Sequence, residues 1–221
     1  MLALSVNANL HWFCHATREK CVLHIYSRPS LSEMVISKAM VNDRLCFAER
    51  RVTELLALNG GNLASAEPSW RQQLVQEFFF HLVGATEILA SLVDQERRLG
   101  IDPDHVSLTK VLKKVNVSDP IRQQLASLYA PVGGRPVPSI PYTDEAYIFR
   151  VRNYRHQVCH RGANPFHFKA QLGGGPSPTT THLLLDPRDP NRGGSDRPAR
   201  DEMQYMLDLV KKKCTSALSL L

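Results

Sequence analysis

The chain lacks a disulfide framework: its five cysteines (Cys14, Cys21, Cys46, Cys159 and Cys214) are odd in number and scattered, with no C-x-x-C pair among them. That spacing argues against both a stapled secreted scaffold and a zinc knuckle, and the expectation is a reducing, cytoplasmic setting. A long apolar run is missing as well. The most apolar stretch, residues 74 to 93, is interrupted by Glu77, His81 and Glu87, which a bilayer-spanning helix would have to bury at several kcal/mol. No membrane association is expected. Residues 1 to 13 have no basic start and carry Asn7, Asn9 and His11 where a signal peptide is apolar, which argues against secretion. Gly60-Gly61 and Gly173-Gly174-Gly175 lack the strand-to-helix setting and the lysine of a phosphate loop, so nucleotide hydrolysis has no support. There is no internal repeat.

What is present is a helical pattern with enough apolar content, 43% of 221 residues, to bury a sizeable core,. Residues 1–29 show weak periodicity and read as an N-terminal extension. From Ser30, residues 30–221 read as a single domain. A first helix follows the capping-box spacing Ser30-Leu-Ser-Glu33 and repeats apolar residues at Val41, Leu45, Ala48, Val52 and Leu55,. A second begins near Pro68, runs through Leu74, Phe78, Leu82, Ala85, Leu89 and Leu92, and is ended by Gly100,. Joined by a short Asn/Gly loop, the two must lie antiparallel, because neither can bury its stripe alone. Within the second, Phe78-Phe79-Phe80 reads as core rather than as a platform for stacking bases.

Shorter helices are expected at Ser107 to Val115 and, capped by Ser118, at Ser118 to Tyr129. A loop rich in proline and glycine at 131–141 then delivers the chain to a helix capped by Thr143 and running from Asp144 to about Arg161,. Alternation at 166–172 and a β-prone run at 179–185, with glycines and prolines between them, predict a small β-hairpin inserted before a last helix at about 200–220,. The fold class expected is therefore mainly α: an antiparallel helical bundle with that hairpin insertion.

The helix from Asp144 draws the functional reading. At 100° per residue, Tyr147, Val151, Tyr154 and Val158 share one core-facing stripe, while Arg152, Asn153, His156 and His160 fall on roughly the opposite side with Phe149. Arg155 and Cys159 lie on the flank. Cations at helical spacing repel one another, so a face of this kind suits an anionic partner, and a net charge of +6 with nine uncounted histidines points the same way,. Guanidinium offers forked donors to phosphate oxygens, and imidazole exchanges protons near neutral pH. Glu77 and Glu87 on the second helix are within reach for ion pairs with Arg150 or Arg155.

The run Arg155-His-Gln-Val-Cys-His160-Arg-Gly162 resembles the Arg-x4-6-His signature of the HEPN family, small helical bundles that include toxin and antiviral ribonucleases. The order of elements agrees: two long antiparallel helices, the motif helix, a closing helix. The resemblance implies a metal-independent endoribonuclease acting on RNA as a homodimer, with no cofactor and with an antitoxin or other protein as a further partner. It makes Arg155 and His160 the catalytic pair, the arginine steadying the phosphate and the histidine handling protons. Arg150, Arg152, Asn153 and His156 are supporting candidates.

Two departures bear on the register. The residue after the arginine is often Asn in the family and is His156 here, and Arg150-x5-His156 also satisfies the spacing. Five α-helical residues turn Arg155 and His160 about 140° apart, so dimer pairing would have to reunite them. A non-catalytic nucleotide-binding or protein-interaction module is the main alternative. A metal site built on His156 and His160, with Cys159 or His167, has the right spacing, but the flanking arginines repel a cation.

Overall fold

The computed structural model describes residues 36–59, 68–130, 142–159, 166–171, 179–184 and 197–221. The expected N-terminal extension and the Ser30 capping box lie outside them, as do the 131–141 loop and the expected hairpin turn. The described chain is mainly helical, in the order α1 (Lys38–Asn59), α2 (Pro68–Arg97), α3 (Leu108–Lys114), α4 (Pro120–Ser127), α5 (Asp144–Tyr154), β1 (Phe166–Gln171), β2 (Thr179–Leu184) and α6 (Ala199–Leu218).

Helices α1 and α2 pack along their length. The stripe Val41, Leu45, Ala48, Val52 and Leu55 is buried against Leu74, Phe78, Leu82, Ala85 and Leu89. Each of these side chains, removed from water, contributes about 1.5–3 kcal/mol for its leucine- or phenylalanine-sized members. Helix α6 lies across this pair, with Met203, Leu207, Val210, Cys214 and Ala217 fully buried. Strands β1 and β2 pair antiparallel, Phe166 opposite Leu184 and Gln171 opposite Thr179, and Leu184 of β2 reaches the core.

The helix ends follow side-chain chemistry. Ser107 Oγ accepts from the Lys110 amide at the start of α3, and Thr143 Oγ1 accepts from the Ala146 amide at the start of α5. At α4 the cap is Asp119, not the expected Ser118: its Oδ1 accepts from the Ile121 amide at 3.0 Å, and Pro120 takes the first helical position. The end of α2 differs in the same way. Arg98, with φ of 49°, takes the left-handed position, and the bonds from Arg98 N to Gln95 O and from Leu99 N to Asp94 O form the paired closure of a Schellman motif. Gly100, also at positive φ, serves the turn that follows. A short 3-10 turn at Pro103–His105 leads into α3.

Helix α5 does not present one face to solvent. Ala146, Tyr147, Ile148, Phe149, Val151, Asn153 and Tyr154 are all buried, because α2 and α6 both pack on it. A helix flanked on two sides buries more than one stripe. The α-helical register also stops earlier than the expected Arg161: from Arg155 to Cys159 the backbone forms a π turn, which packs against α2.

Candidate functional site

The residues singled out from the sequence fall on α5 and the π turn, and their surroundings differ from one to the next. Arg150 is held by Glu202 of α6, at 3.1 and 3.3 Å from Nη1 to the two carboxylate oxygens. Glu202 is 1% exposed, and its Oε1 also accepts from the Tyr147 hydroxyl at 3.4 Å. The Arg150 guanidinium lies 5.1 Å from the Tyr147 ring centroid and 5.6 Å from that of Tyr142, while Arg197 stacks on Tyr142 at 3.9 Å. Burial, with Glu202 close by, pushes the Tyr147 hydroxyl above its ordinary pKa, although Arg197 and Arg150 act the other way.

Arg152 is held equally firmly. Its Nη1 donates to Glu87 Oε1 of α2 at 2.9 Å, and the other oxygen of Glu87 accepts from the Leu108 amide at the head of α3 at 3.0 Å. One carboxylate therefore ties α2, α3 and α5 together. Of the two carboxylates expected to reach this helix, Glu87 does so and meets Arg152 rather than Arg150 or Arg155. Glu77 pairs instead with Arg51 of α1 at 2.9 Å.

Asn153, expected on the outer face, is 3% exposed, and its amide nitrogen donates to the Phe149 carbonyl at 2.8 Å. Its role within the described structure is to satisfy buried backbone, and Phe149 beside it is core. The expectation that Arg152 and Asn153 face outward, with Phe149 among them, is thus corrected, and Arg150, a supporting candidate, is also bound. Two of the cations are compensated across helix interfaces, and the amide is turned inward.

Arg155 and His156 remain on the π turn, both half-buried. Arg155 follows Tyr154, whose ring stacks on Phe79 of α2 at 4.8 Å between centroids. The Arg155 Nε is shielded from solvent and has no hydrogen-bond partner among the described residues, a state that ordinarily costs about 1–3 kcal/mol for a buried polar group. His160 lies outside the described residues, as do the side chains of Cys159 and His167. Among the described residues no group of three or more His, Cys, Asp or Glu side chains could hold a metal ion.

Of the two carboxylates that hold this geometry, Glu87 is expected from the sequence and Glu202 is not. Glu202 stands in the row Ala199, Glu202, Met206 and Leu209, whose other members are buried and apolar. A carboxylate at i, i+4 and i+7 spacing with apolar residues is a signal for a buried ion pair that can be read without a structure.

The fold defines a mainly α-helical bundle in which α5 is enclosed between α2 and α6 and its π turn packs on α2. Compared with family models, curated proteins and solved structures, the chain matches none. Among the described residues no helix is long and apolar enough to cross a membrane.

Proposed function

We propose that the chain is a HEPN-like protein that acts on RNA, with Arg155 and His160 as its working pair and the paired strands before α6 as a hairpin insertion. The observation that carries this reading is the π turn at Arg155–Cys159. In an α-helix a five-residue spacing splays two side chains by about 140°. In a π turn the hydrogen bond runs between residues i and i+5, so a five-residue spacing is splayed less than on an α-helix. An Arg-x4-His spacing suits such a turn better than an α-helix, and π turns recur at functional sites. The ion pairs of Arg150 and Arg152 favour the Arg155/His160 register over Arg150/His156, because the earlier arginine is already bound to a buried carboxylate.

The chemistry is cleavage by the RNA's own 2′-hydroxyl. That hydroxyl gives up its proton and attacks phosphorus, the P–O5′ bond breaks, the 5′ oxygen takes up a proton, and a 2′,3′-cyclic phosphate is left. His160 handles the protons, and Arg155 steadies the phosphate through charge-assisted bonds. The test is incubation of the wild type, His160→Ala and Arg155→Ala with total RNA in EDTA, followed by end-group analysis. Cyclic phosphate ends from the wild type, lost by at least a hundredfold in either variant, are expected from the scale of general acid–base catalysis. Undiminished cleavage by both variants overturns the mechanism.

The compensation of Arg150 and Arg152 supports a second reading, a non-catalytic module that binds a nucleotide or protein through the same turn. It predicts binding without turnover. The same assay separates the two, because a module leaves RNA ends unchanged with every protein tested.

A further inference from the structure

The outer face of the α1–α2 pair carries a row of rings that the core does not use. Phe47 of α1 and Phe80 of α2 are each 40% exposed. His81 lies between them, with ring centroids 5.2 Å from Phe47 and 5.5 Å from Phe80. Of the Phe78-Phe79-Phe80 run, then, only the first two are core. Phe80 points to the surface.

Cations border the row at both ends. The Arg44 guanidinium lies 5.4 Å from the Phe80 centroid, and that of Arg50 lies 5.7 Å from the Phe47 centroid. A Cβ on Gly84 of α2 would lie 3.8 Å from the Arg44 stem, in ordinary contact, so the arginine lies across α2 at this point. Arg44 Nη1 donates to His81 Nδ1 at 3.1 Å. Guanidinium has no acceptor, so the His81 proton sits on Nε2. Burial first and then Arg44 pull the His81 pKa down to about 4, with Glu77 acting the other way and Arg51 adding to the lowering, which makes its ring a neutral one at physiological pH.

Neither Arg44 nor Arg50 forms an ion pair with a carboxylate among the described residues, in contrast to Arg150 and Arg152. The nearby acids are otherwise engaged: Glu77 with Arg51, and Glu49 with Lys211 at 3.1 Å. Asp43 is exposed beside them. Trp70, 42% exposed, stands on α2 ten residues, about 15 Å of helix, before Phe80.

We propose that this face, built on Arg44, Phe47, Arg50, Phe80 and His81, binds single-stranded nucleic acid. Planar rings in a row accept unpaired bases whatever their sequence, and uncompensated guanidiniums beside them take the phosphates. A duplex, with its bases stacked inside, offers the rings nothing. A protein partner would want an apolar seam with polar edges, whereas here two guanidiniums stand on the rings themselves. The inference does not depend on cleavage at Arg155.

The test uses the full chain and a fluorescein-labelled 2′-O-methyl oligouridine of about 12 nucleotides, a length within the reach of known single-strand sites. The blocked 2′ oxygen makes this probe uncleavable, so binding and turnover are read separately. Saturable binding by anisotropy at low salt is expected, weakened at least tenfold by Phe47→Ala/Phe80→Ala and several-fold by Phe80→Leu, which keeps the bulk and removes the ring. Arg44→Gln/Arg50→Gln should lower the salt slope by about one to two. A hairpin duplex of equal length should bind more weakly. Absence of saturable binding overturns the proposal, as does binding equal in wild type and Phe80→Leu. So does concentration-dependent self-association abolished by Phe47→Ala/Phe80→Ala, which would make the face an interface between copies of this chain.

Discussion

At the residue scale the structure turns on how a few charges are compensated. Glu202 is 1% exposed and faces Arg150, itself mostly covered. Two ions taken from water repay that loss only while both are present. Glu202→Ala therefore leaves a buried guanidinium and should lower stability by about 3–5 kcal/mol, read as a shift in the urea midpoint with an unchanged slope. The double change Arg150→Met/Glu202→Leu removes both charges at similar volume and should recover most of that loss. A single variant within 1 kcal/mol of wild type would show that Arg150 finds another partner. The same pairings explain what sequence reading misjudged. On its own helix Arg152 looks like a free cation, and the sequence matches Arg150 to the carboxylates of α2 rather than to that of α6. Their carboxylates stand 52 and 65 residues away in sequence, and a helical wheel contains no neighbours.

At the scale of elements, the parts that depend on local spacing were legible. The long helices follow their apolar stripes, Thr143 and Ser107 cap where a hydroxyl precedes a periodic run, and α6 packs by the residues that its spacing names. Tyr147, Val151 and Tyr154 are core as their stripe requires. The second buried side of α5 was not legible, because it reflects enclosure by both α2 and α6. The π turn was not legible either: a wheel at constant pitch assumes the hydrogen bonding that the turn abandons.

That turn can be tested as an element. An i to i+5 loop holds one residue more than an i to i+4 loop, so deleting Gln157 allows the α-helical register to continue through Arg155. The deletion should leave helicity by circular dichroism intact, with a melting temperature within about 4 °C of wild type, the shift of roughly 1 kcal/mol in a chain of this size. RNA cleavage should persist, because the deletion also shortens the Arg155–His160 spacing to four residues, which an α-helix sets about 40° apart. Loss of cleavage at unchanged stability would show that the function needs the turn for more than setting the two side chains on one side.

At the scale of the whole molecule, cooperativity is the property most exposed to measurement, and α6 is where to read it. The helix packs against α1, α2, α4 and α5, so its core face can reach water only when the bundle opens as a unit. Cys214 sits on that face at 0% exposure, and burial pushes its thiol up to about 12. Cys46, on the outer side of α1, is exposed. Reagents attack the thiolate, so accessibility and ionisation both protect Cys214 in the folded chain and both are restored on unfolding. In a variant retaining only Cys214, with Cys14, Cys21, Cys46 and Cys159 replaced by serine, labelling by a disulfide reagent should be at least about a thousandfold slower than in one retaining only Cys46, matching an open fraction of 10⁻³ or less. Added urea should accelerate it along the curve that circular dichroism traces for global unfolding. Were Cys214 instead labelled far ahead of the loss of helicity, α6 would be detaching by itself, and the closing helix would be a separate unit of stability rather than the fourth wall of one core.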